Sequence, residues 1–296
     1  MKNNKYLNVS FEESLNLSDD SLIKYMIDDT KQRKIYNGKG KSSATLLSIF
    51  LIGILYLVAF FTEKGVDKPF KDSPLPEPTI NFLPMWIFGL LLLIWFSGVV
   101  YLRSKGYLNV KVFINLFNAN NFLIWIIIEG NLFILTFFFK TVTVIGVTIL
   151  FSLIILFLYA ILKSKIIAIN KQLFNSDSEL KNIDVIIQKI IHWIYKYGWV
   201  IILSLVGWKF LFPNTAGVRT DIVGFIGIIT MWFLMNIAVI VVESYLILPY
   251  LLYGYYQYKY PEEYREWEGK TQLEWYGEKY FNKHIKGTEK EEKIND

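Results

Sequence analysis

Two carboxylates stand inside otherwise apolar runs of this 296-residue chain, and they are the side chains best placed to do chemistry. Glu129 lies in WIIIEGNLF, near the middle of one run, and Glu243 lies in VIVVESYLILPY, nearer the end of another. A charged group at the centre of a bilayer costs about 2.5–3.5 kcal/mol on insertion scales, so it normally faces a cavity or a partner. Asn131 follows Glu129 closely, and Asn236 precedes Glu243 by nearly two helical turns, which puts that amide and that acid on one stripe. Pro249 has no amide to give the carbonyl of Tyr245, which loosens and kinks the helix beside Glu243. An acid and an amide on one face of a kinked helix suit a proton or cation path. The competing reading, and the one ahead, is that Glu129, Asn131, Asn236 and Glu243 bond across helices and fix their packing.

Most enzymatic chemistries fail on residue types. The chain has no Cys, which removes disulfides, thiolate metal sites and Cys nucleophiles. Its two histidines, His192 and His284, belong to no HExxH pattern, and neither a GxSxG elbow nor a Walker loop occurs. No metal site and no cofactor is expected. EEYRE at 262–266 gathers carboxylates, but without a nearby His or Cys it reads as a solvated helical face. A membrane-embedded enzyme using Glu129 or Glu243 as general base is a third reading, behind packing and transport.

The elements that must position these residues are membrane-spanning helices. A span needs about 20 mostly apolar residues, and six stretches qualify: Ala44–Thr62, Phe82–Leu102, Phe122–Phe139, Val142–Lys163, His192–Phe212 and Ile222–Tyr253. LLSIFLIGILYLVAFF has no polar face, which sets it apart from the amphipathic helices of soluble domains. The weakest joint is between the third and fourth spans, where only Lys140 and Thr141 intervene, and the turn is placed there. With the N-terminus inside, 25 of the 31 Lys and Arg residues fall on the inner side; only Lys64, Lys68, Lys71, Lys140, Lys209 and Arg219 fall outside. Short positively charged loops stay cytoplasmic, so both ends are expected inside. Topology accounts for the net charge of +5, and no nucleic-acid partner is implied. Abundant Lys, Asn, Ile, Phe and Tyr suits an AT-rich bacterial genome, and the bacterial cytoplasmic membrane is the expected location.

The expected architecture is all-α: a six-helix transmembrane bundle at 44–253, with short amphipathic cytoplasmic helices at both ends. The arm, 1–43, carries the capping box Ser10-x-x-Glu13 and an amphipathic run that includes Leu22, Ile23 and Met26 and stops at Asn37-Gly38. Outside, SPLPEPT is expected to be extended and stiff. Residues 176–196 begin polar and become an amphipathic run, with Ile186, Ile187, Ile190, Ile191 and Ile194 against Lys189 and Lys196, that continues into the fifth span. In the tail, 254–296, Pro261 suits a first helical turn, Gly269 a stop, and Thr271-x-x-Glu274 a second capping box. Leu273, Tyr276 and Tyr280 would then share one face, and the chain past Lys286 is expected to be disordered. Trp267, Trp275, Tyr276 and Tyr280 are candidate docking residues for a cytosolic partner.

Little soluble mass, short external loops and helical ends point to a non-enzymatic multi-pass protein that binds a partner in or at the bilayer. An immunity or accessory protein for a secreted toxin or peptide fits that description. The alternative is a small proton- or cation-coupled transporter, or an exporter permease subunit, using Glu129 and Glu243. The topology has its own test. Reporter fusions at the two ends should both give cytoplasmic signals, and signals from opposite faces would overturn the six-span map.

Overall fold

Apolar runs without a polar face favour helix wherever water is absent, because each backbone amide must then find its partner within its own segment. The computed structural model describes residues 5–20, 22–24, 27, 41–68, 76–104, 110–174, 184–194, 196–197 and 222–292, and among them it is all-helical, with no strand. The helices are α1 (Phe11–Leu15), α2 (Lys41–Asp67), α3 (Met85–Ser104), α4 (Val110–Phe174), α5 (Ile222–Val242) and α6 (Leu248–Lys259), then tail helices α7 (Pro261–Trp267), α8 (Gln272–Tyr276) and α9 (Glu278–His284). A further helical stretch covers 184–194. A π-helical turn, Glu243–Ile247, joins α5 to α6.

Among the described residues, four helices are long and apolar enough to cross a membrane: Thr45–Asp67, Met85–Leu102, Phe117–Phe174 and Val223–Lys259. Between 11% and 17% of each apolar stretch is buried inside the protein. Side chains such as Leu47, Phe50, Leu93, Phe96, Ile155 and Met231 are exposed, an apolar surface far beyond what a soluble monomer tolerates and one that suits lipid. The first two predicted spans fall on α2 and α3, and the last on α5 and α6. The predicted fifth span, His192–Phe212, lies largely outside the described residues, as do most of the arm's amphipathic run and the start of the proline-rich loop. Its end, residues 76–80, is without regular secondary structure.

The 58 residues of Phe117–Phe174 would reach about 87 Å as one straight helix, nearly three times the hydrocarbon thickness. Instead the backbone breaks at Thr143 (φ 64°, ψ 165°). The contacts of α5 show what the break does. Phe225 meets Phe138, and Trp232 meets Asn131, so α5 runs antiparallel to the limb before Thr143. Trp232 also meets Phe151, and Phe233 meets Phe157, so α5 runs parallel to the limb after it. The two limbs are therefore a hairpin around α5. The turn falls just past the Lys140-Thr141 joint expected from sequence. Its position carries no Gly or Pro, the residues that would have marked it.

At the far end of the bundle, the Met85 amide donates to Glu63 (3.1 Å) and the Phe82 amide to Thr136 (3.0 Å), tying α2, α3 and the first limb together. Lower down, Trp95 donates to Asn118 (2.9 Å), and the Phe117 ring lies so close to Gly98 that any Cβ there would collide with it. The core between these helices is aromatic, built on Leu55, Ala59, Leu83, Phe88, Phe122 and Trp125.

The two ends of the chain meet. Tyr256 donates to the carbonyl of Tyr6 (2.9 Å), Tyr260 to that of Val9 (2.7 Å), and the hydroxyls of Ser14 and Tyr264 share a bond of 2.9 Å. Phe11 packs edge-on against Tyr260 and Tyr264. Both expected capping boxes form, at Ser10 and at Thr271. Gly277 (φ 73°) splits the second tail helix in two, so Tyr276 and Tyr280 stack across the break while Leu273 faces outward. Two expectations are corrected. EEYRE is not wholly solvated: Tyr264 and Arg265 are buried, and Arg265 binds Glu262, Glu292 and the carbonyl of Lys270. Residues 287–292 are not loose either, because Gln272 bonds both the Lys290 carbonyl (2.8 Å) and the Glu292 amide (3.1 Å).

A β-branched residue at positive φ with extended ψ occupies backbone space suited to Gly, at a cost of roughly 1–3 kcal/mol. Thr143→Gly should therefore raise the thermal unfolding midpoint of the purified protein in detergent. A lowered midpoint would mean that the hairpin turn is not strained at this residue.

Candidate functional site

A carboxamide in an apolar interior must find its hydrogen bonds among other side chains, and Asn131 and Asn236 find each other. Asn131 Nδ2 donates to Asn236 Oδ1 (3.0 Å) and Asn236 Nδ2 donates back to Asn131 Oδ1 (2.9 Å). Trp232 Nε1 also donates to Asn131 Oδ1, and Asn236 Nδ2 reaches the carbonyl of Trp232 (3.0 Å). The amides thus form a closed joint between the first limb of the hairpin and α5.

Glu129 and Glu243 are not brought together. Glu129 is 1% exposed and accepts a bond from Trp125 Nε1 at 2.6 Å, one turn back on the same limb. Its second oxygen, Oε2, has no partner among the described residues. Glu243 opens the π-helical turn and is half-buried. With the Asn120 amide turned to present its NH2, Asn120 donates to both carboxylate oxygens of Glu243, at 2.7 and 3.0 Å. The distortion expected before Pro249 is thus present as a π turn, closed by the Leu248 amide bonding the Glu243 carbonyl. Such single turns are frequent at functional sites.

A second polar group, below Glu243 toward the paired ends, has no counterpart among the candidates read from sequence. Lys165 is wholly buried and bonds Asp20 Oδ2 at 3.0 Å. The other oxygen of Asp20 caps the helical turn that follows it, accepting from the amides of Leu22 (2.9 Å) and Ile23 (3.2 Å). The Lys165 ammonium also sits 5.0 Å from the centre of the Tyr245 ring. Asp184, wholly buried, accepts from Gln188 (3.0 Å) through Oδ2. The Tyr245 hydroxyl lies beside Asp184 and Ser164 but forms a well-shaped hydrogen bond with neither. In the sequence, Lys165 and Asp184 both lie in the connection between the fourth and fifth predicted spans. The signal available is that Ile187 and Ile191 follow Asp184 by three and seven residues, on the same helix face, which draws position 184 inward.

The docking candidates divide. Trp275 is buried in the cap's core, whereas Trp267 is 51% exposed with one edge against Tyr264. Tyr276 bonds Glu262 and stacks on Tyr280. Burial pushes the Tyr264 phenol up to about 12, the Ser14 bond working in the opposite direction. Bonds from the backbone and hydroxyl of Thr271 hold Glu274 below the usual carboxylate range. Among the described residues, no cluster of His, Asp or Glu has the makings of a metal site. No family model, curated protein or solved structure matches this chain.

The amide joint sets an energetic expectation. Asn131→Leu strands Asn236 and the Trp232 N–H, which should destabilise the protein by about 1–2 kcal/mol in detergent unfolding. Pairing it with Asn236→Leu should cost no more than either single change. A double variant as unstable as both losses added together would show that the amides do not act as one joint.

Proposed function

We propose that this chain is a multi-pass protein of a bacterial cytoplasmic membrane, with six crossings and both ends inside, that acts by binding a partner. An immunity or accessory role toward a secreted toxin or peptide is the form we favour. The observation that supports it is how the intramembrane polar groups are used. Asn131 and Asn236 close on each other, Glu129 is held by Trp125 and Glu243 by Asn120. These separate joints support a fixed scaffold and, among the described residues, leave no continuous polar track between the two acids. The topology has support of its own. The arm and tail pack together, which an even number of crossings permits. Ile187 packs near Ile161 and Tyr245, toward the paired ends, whereas Phe225 lies at the opposite end beside Phe138. The predicted fifth span lies between them in sequence.

A second reading, proton- or cation-linked transport, is favoured by one feature: Glu243 starts a π turn in an otherwise apolar helix. The two readings separate in a single strain. Expression in cells sensitive to peptides encoded beside this chain's gene should restore their growth. Trp267→Ala, on the exposed cap surface, should weaken that protection at unchanged membrane abundance. Killing that is indifferent to expression, for every such peptide, would remove the partner reading.

A further inference from the structure

The helical residues 184–194 and 196–197 carry three faces of different chemistry. Asp184 and Ile187 are buried, and Ile187 shares a core cluster with Ile161, Ile240 and Tyr245, so this face belongs to the bundle. A second face is apolar and exposed: Ile186, Ile190, Trp193, Ile194 and Tyr197. On it the rings of Trp193 and Tyr197 lie together, their centres 5.9 Å apart. Between these two faces runs an edge of exposed bases, Lys189, His192 and Lys196, at spacings of three and four residues. Val185 shares that edge. The sequence holds no Asp or Glu between Asp184 and Asp221, so the edge carries one sign of charge along its own element. A helix with an apolar face, bordering bases and interfacial aromatics rests in the boundary between acyl chains and headgroups.

The height of this helix in the bundle agrees. It shares its core cluster with Ile161 of the second limb of α4. The outer surface of that limb is apolar up to this level, at Ile155, Leu156 and Leu158, and then turns basic at Lys163, which donates to the Tyr159 hydroxyl (3.1 Å). Long basic side chains whose stems lie on apolar surface hold their charge at the headgroup layer. We propose that the outer faces of this helix bind an acidic phospholipid. Its acyl chains lie along Ile186, Ile190 and Ile194, and its phosphate is met by Lys189, His192 and Lys196. Charge selects the lipid, because a zwitterionic headgroup cancels its own phosphate and an acidic one does not. Continuity selects a lipid over a soluble ligand, since the apolar face adjoins the exposed surface of the second limb and leads into the predicted fifth span. The inference rests on the membrane location proposed above and is independent of the partner reading.

The test uses the full-length protein in neutral detergent, titrated with phosphatidylglycerol, with phosphatidylcholine of the same chains, or with soluble glycerol phosphate. Phosphatidylglycerol should raise the thermal midpoint saturably and stay bound in native mass spectrometry, and the other two should do neither. Lys189→Gln with Lys196→Gln should raise the half-saturating phosphatidylglycerol concentration roughly thirtyfold, about fivefold for each lysine and a little more together. Lys283→Gln with Lys286→Gln removes the same charge from the exposed tail and should leave half-saturation unchanged. A midpoint indifferent to headgroup overturns the proposal, as does a helix double variant that responds like the parent. An equal weakening in the tail variant overturns it too, because net charge would then be the cause. An equal rise with glycerol phosphate would reduce the site to phosphate recognition and sink the lipid. Failure of the protein to enter nanodiscs of any composition would remove the membrane location and this inference together, whereas entry with no lipid preference removes this inference alone.

Discussion

Inside a lipid slab, apolar side chains gain nothing by choosing one neighbour over another, so the few polar ones decide which helices meet and at what height. Here the deciding contact is the reciprocal amide pair of Asn131 and Asn236, with Trp232 bonded into it. It sets α5 against the first limb in one register. From that register Phe225 comes opposite Phe138 toward one end, and Glu243 comes opposite Asn120 toward the other. Those positions are spaced by about two and about three helical turns on each helix, so one amide joint aligns the whole contact. The second limb is then held on the opposite side of the same helix, by Phe151 against Trp232 and Phe157 against Phe233. Without the joint, sliding by a turn would exchange one apolar surface for another at little cost.

The paired ends depend on a different constraint, length. Val223–Lys259 spans about 55 Å as helix, well beyond the roughly 30 Å of hydrocarbon. Its last turns therefore emerge, and the sequence changes character at the right place, to Tyr250, Tyr253, Tyr255, Tyr256 and Tyr260. Tyrosine suits that boundary, offering an apolar ring to the core and a hydroxyl to a backbone carbonyl. The arm supplies those carbonyls, at Tyr6 and Val9. The Lys165–Asp20 pair then fastens the arm to the second limb. Removing one member of a buried ion pair typically costs 3–5 kcal/mol, so arm and bundle are coupled strongly through it.

Much of this could be read in advance, and what could not has identifiable causes. The apolar stretches announced α2, α3 and the last long helix, because lipid demands a length and a composition that few other environments do. Local capping chemistry was equally legible: Ser10 with Glu13 and Thr271 with Glu274 close as their spacing implies. The hairpin turn was missed by a short distance because Thr143 adopts its conformation against its own preference, under tertiary constraint. Asn131 and Asn236 stood out as polar residues in apolar runs, but nothing in one dimension said that they pair with each other. Lys165 and Asp184 were hidden for the opposite reason. They lie at span ends, where charges are ordinary, and only the packing of the arm and of the 184–194 helix over them makes them buried.

That difference between the two polar groups bears on what each can do. The amide joint is neutral, closed and mutually satisfied, so its bonding leaves no atom of the pair waiting for anything else. The group at Asp184 is assembled from three elements, with the Tyr245 hydroxyl beside Asp184 and Ser164. Glu243 opens the same π turn that carries Tyr245, so a shift of that turn would move a carboxylate at one edge and a phenol at the other together. A π turn has one residue more than the surrounding α-helix accommodates, and relaxing it rotates everything beyond it. Beyond it here lie Pro249, the tyrosines of α6 and the cap they hold. The cap is thereby joined to Glu243 and Tyr245 through one continuous run of helix.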